Sequence, residues 1–215
     1  MIDPADEHVH PLIPVYSPEL FRGTADDYAR FRPRYPPVLL AAIERTVGLD
    51  HDGPLLDLAC GTGEVSVALA DRVSDIWAID LEPEMVAVAR RNALERGIGR
   101  IHWSVGRAEE AQLPDDHFNL VAVGRAFHRL NRPLIAQRSI HWLRSGGCFI
   151  DMGADSSGLS EPSEPWLLAA AEVYERWLPR AHKFRGDVES SAGPGQPKTT
   201  SQAVLTEAGF TNVAK

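Results

Sequence analysis

A chain of 215 residues, 44% apolar and 24% charged, has room for one well-buried α/β domain and none of the compositional marks of a disordered or coiled-coil protein. Its 22 basic and 30 acidic residues leave a net charge of −8 with no Lys/Arg block, which repels a phosphate backbone and counts against nucleic acid as a partner. Two distant cysteines, Cys60 and Cys148, sit in apolar runs as small buried hydrophobes, and no apolar stretch reaches the length of a membrane span.

The N-terminus, MIDPADEHVHPLIP, is acidic and Pro-rich, without the cationic start or apolar run of a signal peptide, so a cytoplasmic protein is expected. The segment TADDYARFRPRYPP, 24 to 37, carries prolines that break any long helix, with aromatics and arginines suited to a cover. A helix follows from Pro37 to Val47, where Val38, Leu39, Ile43 and Val47 repeat at helical spacing. From Pro54 the pattern alternates: a strand at 55 to 59, a helix from Glu64 to Arg72, a strand at 76 to 80, and a helix from Pro83 to Arg96 closed by Gly97. Further strands are expected at 101 to 106, 119 to 124 and 148 to 153, with a helix from Pro133 to Leu143 between the last two. Strand followed by helix, repeated, predicts a doubly wound, mainly parallel sheet with helices on both faces. After Ala154 the period lapses, and a helix from Pro165 to Leu178 presents Trp166, Tyr174 and Trp177 along one side. A last short helix leads into GFTNVA, expected to be a sixth strand at Thr211 to Ala214. Such a strand ends the chain without a neighbour, so the final strands are expected to be missing, by a shortened C-terminus or with a partner chain in the gap.

The turn after the first strand reads Asp57-Leu58-Ala59-Cys60-Gly61-Thr62-Gly63-Glu64. Gly61 and Gly63 allow a tight turn and close backbone approach to a ligand. A dinucleotide fingerprint wants a third glycine where Ser66 stands, and a phosphate cradle wants Gly-Lys-Ser/Thr, which is absent. The turn has two carboxylates instead. Asp80, ending the second strand, is placed to accept ribose hydroxyls, or to cap the next helix. Asp57 repels pyrophosphate and pairs with an ammonium, or caps the turn. Together they describe a ligand with a ribose and a cationic amine but no phosphate, as S-adenosylmethionine is.

LLDLACGTGEVSVALA, IWAIDLEPEMVAVAR and GRAEEAQLPDDHFNLVAVGRAFH, in that order over residues 54 to 153, resemble successive motifs of class I S-adenosylmethionine-dependent methyltransferases. The resemblance implies that Gly61 and Gly63, with Ala59 in the same turn, approach the cofactor through their backbone. It further implies that Asp80 holds the ribose, Leu81 and Met85 flank the adenine, and Ala108 with Glu109 meets its edge. FRGTADDYARFRPRYP resembles the N-terminal lid of small-molecule members, in which Tyr28 and Arg34 close over the methionine end. The chain then divides into an arm and lid (1–36), a Rossmann-like cofactor-binding core (37–153), a substrate-side insertion (154–200), and the last helix and strand of the core (201–215).

His128, just past the fourth strand, is the candidate base, since a neutral imidazole is abundant near neutral pH; the alternative is a histidine that ties its loop. Arg125 is placed to meet the cofactor's carboxylate or an acidic substrate group, or to pair with a surface acid. Small-molecule relatives often carry Ala-Phe-His-Trp and then an acid here, where this chain has Arg129 and Asn131. The histidines show no metal-ligand spacing, so no metal is expected. The expected activity is methyl transfer from S-adenosylmethionine to an oxygen or nitrogen of a small molecule, a specialised metabolite being one candidate, by a monomer or homodimer. The rival readings are an inactive cofactor-binding regulatory partner and a nicotinamide-dependent oxidoreductase.

Overall fold

The computed structural model describes residues 21–49, 51–153 and 200–214. Five strands, β1 (Leu55–Leu58), β2 (Ile76–Asp80), β3 (Ile101–Val105), β4 (Phe118–Gly124) and β5 (Leu143–Met152), form one parallel sheet in the order β3-β2-β1-β4-β5. The order runs outward from β1 to β3 and then returns to place β4 beside β1. That reversal leaves a crevice beyond the carboxyl ends of β1 and β4, where open α/β sheets bind ligands.

Alternation along the strands divides the core in two. Leu55, Ile76, Ala78, Leu120 and Ala122 face one layer, built with α2 (Pro37–Val47), α3 (Glu64–Leu69) and α4 (Pro83–Leu94). Leu56, Leu58, Val121 and Val123 face the other, with α5 (Arg132–Trp142) and α6 (Ser201–Ala208), which contributes Val204 and Leu205. Both faces of β1 and β4 are closed to water, as a parallel sheet requires, so their sequences read as apolar runs interrupted only by Asp57 and Asn119. Pro37 and Pro83 occupy first helical turns, and Gly48, at φ 68°, closes α2 in the left-handed conformation.

Three boundaries differ from the sequence expectation. A short helix, α1 (Ala25–Phe31), forms ahead of Pro33 and packs on α4 through Ala25, Met85 and Val88. β5 begins directly at the end of α5, although its regular ladder with β4 starts only at Cys148, after an irregularity at Gly146 with φ 79°. The expected strand at Thr211–Ala214 is not formed. Asn212 adopts φ 57°, which breaks an extended run, while Phe210 and Val213 pack on the β4–β5 face and Phe210 meets Phe149 at 5.7 Å. The helix expected at Pro165–Leu178, and the insertion around it, lie outside the described residues.

Candidate active site

The β1 turn builds the floor of the crevice. Ala59 and Gly61 both adopt φ 54° and Gly63 φ 82°, so three left-handed residues within five reverse the chain from β1 into α3. A side chain at Ala59 in this region is strained by about 1–2 kcal/mol, the kind of cost that gathers at ligand sites. Asp80 ties the turn to the end of β2: its Oδ2 accepts the Gly61 amide at 2.7 Å, and its Oδ1 accepts the Glu82 amide at 2.9 Å. Each oxygen keeps a further lone pair for a ligand hydroxyl. Burial raises the Asp80 carboxyl above its ordinary pKa while these amides pull it back.

Asp57 is fully buried under the start of α3. Its Oδ2 accepts both the Ser66 amide, at 3.0 Å, and the Ser66 hydroxyl, at 2.6 Å. Its Oδ1, equally buried, has no hydrogen-bond partner among the described residues. Burial outweighs the two Ser66 bonds, and nearby Asp80 and Glu64 add repulsion, so the carboxyl is pushed up to about 7. An uncompensated buried carboxylate oxygen is costly. It lies beside a narrow recess that Tyr28, Tyr35, Gly61, Glu64 and Arg125 also line.

That recess shares Tyr28, Ala59, Gly61, Gly124 and Arg125 with a wider, open cleft. The ends of four strands supply its walls: Ala59 and Gly61 after β1, Asp80 to Glu82 after β2, Gly106 to Glu109 after β3, and Gly124 to Ala126 after β4. Met85, Phe21, Tyr28, Arg129 and Leu130 complete it. The structure therefore brings Tyr28, Ala59, Gly61, Asp80, Leu81, Met85, Ala108, Glu109 and Arg125 together around one space, with Asp57 at its inner recess.

Three expected residues are placed otherwise. Gly63 does not line the cleft; an added Cβ would sit 2.9 Å from the Trp103 ring and 3.1 Å from Ala89 Cβ, so this glycine lets α3 and α4 pack closely. Arg34 is exposed and outside the lining, although its charge reaches Glu64. His128 is half-buried in the turn Phe127–Arg129, whose neighbours Ala126 and Arg129 reach the cleft while His128 itself is not among the lining residues. Burial chiefly, with Arg129, Arg132 and Arg32, lowers its pKa and keeps the imidazole neutral.

Arg125 and Glu109 combine wall positions with structural duties. Arg125 donates to the Pro33 carbonyl at 2.7 Å and lies 4.5 Å from the Tyr35 ring, clamping the α1–α2 connection onto the end of β4. Glu109 Oε1 accepts the Asn131 amide at 3.0 Å at the start of α5.

Sequence reasoning missed Tyr35, Glu64, Gly124 and Arg129. Gly124 is needed because a Cβ there would stand 2.6 Å from the Tyr35 hydroxyl and 2.9 Å from Val65. Arg129 lines the cleft and contacts the Phe21 ring at 4.7 Å. The one available signal was the departure at Arg129 from the common family pattern. Among the described residues no group of three or more His, Cys, Asp or Glu could hold a metal ion, and no helix is long and apolar enough to cross a membrane.

Residues 55–147 match the family described as Methyltransferase domain. An uncharacterized methyltransferase of Mycobacterium tuberculosis is 34% identical over 131 residues, covering 59% of this chain and 49% of that protein. An uncharacterized RNA methyltransferase of Streptococcus agalactiae is 28% identical over 83 residues, covering 39% of this chain and 18% of that protein. The chain thus spans about half the length, or less, of these curated relatives. Among solved structures, a candidate S-adenosyl-L-methionine-dependent methyltransferase of Methanococcus maripaludis superposes with a TM-score of 0.61 at 20% identity, over 90% of this chain and 85% of that one. A candidate methyltransferase of Bacillus halodurans gives 0.55 at 22% identity, over 80% of this chain and 68% of that one. At these identities the structural likeness carries the fold alone.

Proposed function

We propose that this chain, which carries a class I S-adenosylmethionine-dependent methyltransferase domain over residues 55–147, moves a methyl group to an oxygen or nitrogen of a small molecule. The observation that carries the reading is the pair of carboxylates around the β1 turn. Asp80 is fixed by two amides with acceptor capacity left over, and Asp57 has a buried oxygen without a partner beside the inner recess. A sugar diol suits the first and an ammonium the second. Five acids in these walls, Asp57, Glu64, Asp80, Glu82 and Glu109, disfavour a pyrophosphate, which counts against the nicotinamide alternative.

When bound, S-adenosylmethionine supplies an electrophilic methyl carbon on a sulfonium and leaves as S-adenosylhomocysteine. The chain's own task is to orient the groups on either side of that carbon and exclude water. Leu81 and Met85 offer apolar contact for a base, Ala108 leaves room at its edge, and Tyr28 with Phe21 covers the mouth. His128 is proposed as the proton acceptor for the attacking oxygen or nitrogen. It stands beyond the β4 carboxyl end, and its lowered pKa leaves it neutral at physiological pH.

The test is transfer of a labelled methyl group from S-adenosylmethionine to a mixed panel of small hydroxylated and amino compounds, run beside total RNA. Label in a small-molecule product supports the proposal. Label in RNA alone contradicts the acceptor class. Cofactor binding without transfer to any acceptor points to the inactive regulatory partner.

A further inference from the structure

The described part of the chain distributes its charge unevenly around the cleft. On the β1–β3 side Asp80 accepts two amides, and Glu109 accepts the Asn131 amide at 3.0 Å with Arg107 at 3.7 Å. On the β4 side the charge is positive. Arg32 and Arg34 come from the α1–α2 connection, Arg125 and Arg129 from the turn after β4, and Arg132 from the first position of α5. Five guanidiniums thus converge from three separate parts of a chain in which acids outnumber bases 30 to 22.

Local structure does not call for this concentration. Arg32, Arg34 and Arg125 form no ion pair among the described residues. Arg32 lies 5.3 Å from the Tyr28 ring, and Arg125 rests on the Tyr35 ring and the Pro33 carbonyl, contacts that hold a cation without cancelling its charge. Among the described residues Glu64 is the one acid on which Arg125, Arg32 and Arg34 all act, so there a single carboxylate faces three guanidiniums. Arg132, at the first position of α5, where a cation opposes the helix dipole, acts on the Asp151 carboxylate. Arg129, Arg132 and Arg32 bear on His128.

We infer that the methyl acceptor is a small anion, and that its carboxylate or phosphate group is held by Arg32 and Arg125 at the mouth of the cleft beside His128, within the field of Arg34, Arg129 and Arg132. Guanidinium forks suit both oxyanions. A polyanion fits less well, because the whole chain carries a net charge of −8 and no basic stripe leads away from these arginines among the described residues. The inference rests on the proposed methyl transfer and names the acceptor class for that site.

The experiment uses the full chain saturated with S-adenosylhomocysteine, whose binding is first measured alone by calorimetry. Inorganic phosphate, and a panel of small hydroxy-carboxylic acids each paired with its carboxamide, are then titrated at constant ionic strength. The expected result is that phosphate and at least one acid bind while the matching amide does not. Arg32→Gln should weaken that binding about tenfold and leave the affinity for S-adenosylhomocysteine within about twofold of the original. Arg34→Gln, a variant at an exposed position, should weaken it by a smaller factor in the same direction. Equal behaviour of acids and amides, including binding by neither, overturns the inference, as does tighter binding of a single-stranded RNA oligonucleotide than of any small acid. Failure of S-adenosylhomocysteine to bind removes the methyl-transfer reading itself and the inference with it, so the two failures are distinguishable.

Discussion

The two halves of the cleft are built from different materials. The β1–β3 half uses main-chain amides and carboxylates held at short range: Gly61 to Asp80, Glu82 to Asp80, and Ser66 to Asp57. The β4 half uses long arginines laid on rings that arrive from distant sequence, Arg125 on Tyr35 and Arg129 on Phe21. Short hydrogen bonds to the backbone hold the first in one geometry. Long side chains on a clamped segment leave the second more room to adjust to what binds there.

Gly63 and Gly61 sit two residues apart in one turn and serve different purposes. Gly63→Ala puts a Cβ against Trp103 and Ala89 at φ 82°, and should cost about 3 kcal/mol of stability in urea denaturation. Gly61→Ala has open space to 4.0 Å from Tyr28 and should cost only about 1–2 kcal/mol from its backbone strain. Equal losses would show that the two glycines do the same job. On the acceptor side, His128→Ala should lower kcat about 100-fold with little change in S-adenosylhomocysteine affinity. An unchanged kcat would return His128 to a loop-tying role.

Asp57 sharpens the comparison through pH. Its carboxyl is pushed up to about 7 in the folded chain, so between about pH 4 and 7 the native state holds a proton that the unfolded chain has lost. The contribution of this group to stability is therefore greatest at low pH and is lost as pH rises through 7. Binding of an ammonium should favour the ionised form. Affinity for S-adenosylhomocysteine should accordingly rise by up to about tenfold from pH 6 to 8, and Asp57→Asn should flatten that rise. The smallest effect on stability is expected at the clamp: Tyr35→Leu removes the cation–π contact of Arg125 and should cost about 0.5–1 kcal/mol in urea denaturation.

The same contrast explains what was legible in the sequence. The strand–helix alternation, the prolines at the starts of α2 and α4, and the carboxylates of the β1 and β2 ends are local signals, and the structure carries those elements where the pattern put them. Gly63 was misread because its close contacts, Ala89 and Trp103, lie 26 and 40 positions downstream. Arg125 and Tyr35 are 90 residues apart and meet only through the fold, so no spacing announced them. The expected final strand failed for a tertiary reason: an apolar run beside a sheet edge can equally pack Phe210 and Val213 onto the face, and Asn212 turns the chain that way.

The central claim is that the carboxylate at the end of β2 holds a ribose. Calorimetric titration with S-adenosylhomocysteine should give a micromolar-range Kd, and Asp80→Ala should weaken it by about 1–3 kcal/mol while the protein keeps a cooperative unfolding transition. Undetectable binding by the unaltered chain, or equal binding by a folded Asp80→Ala variant, would contradict the account.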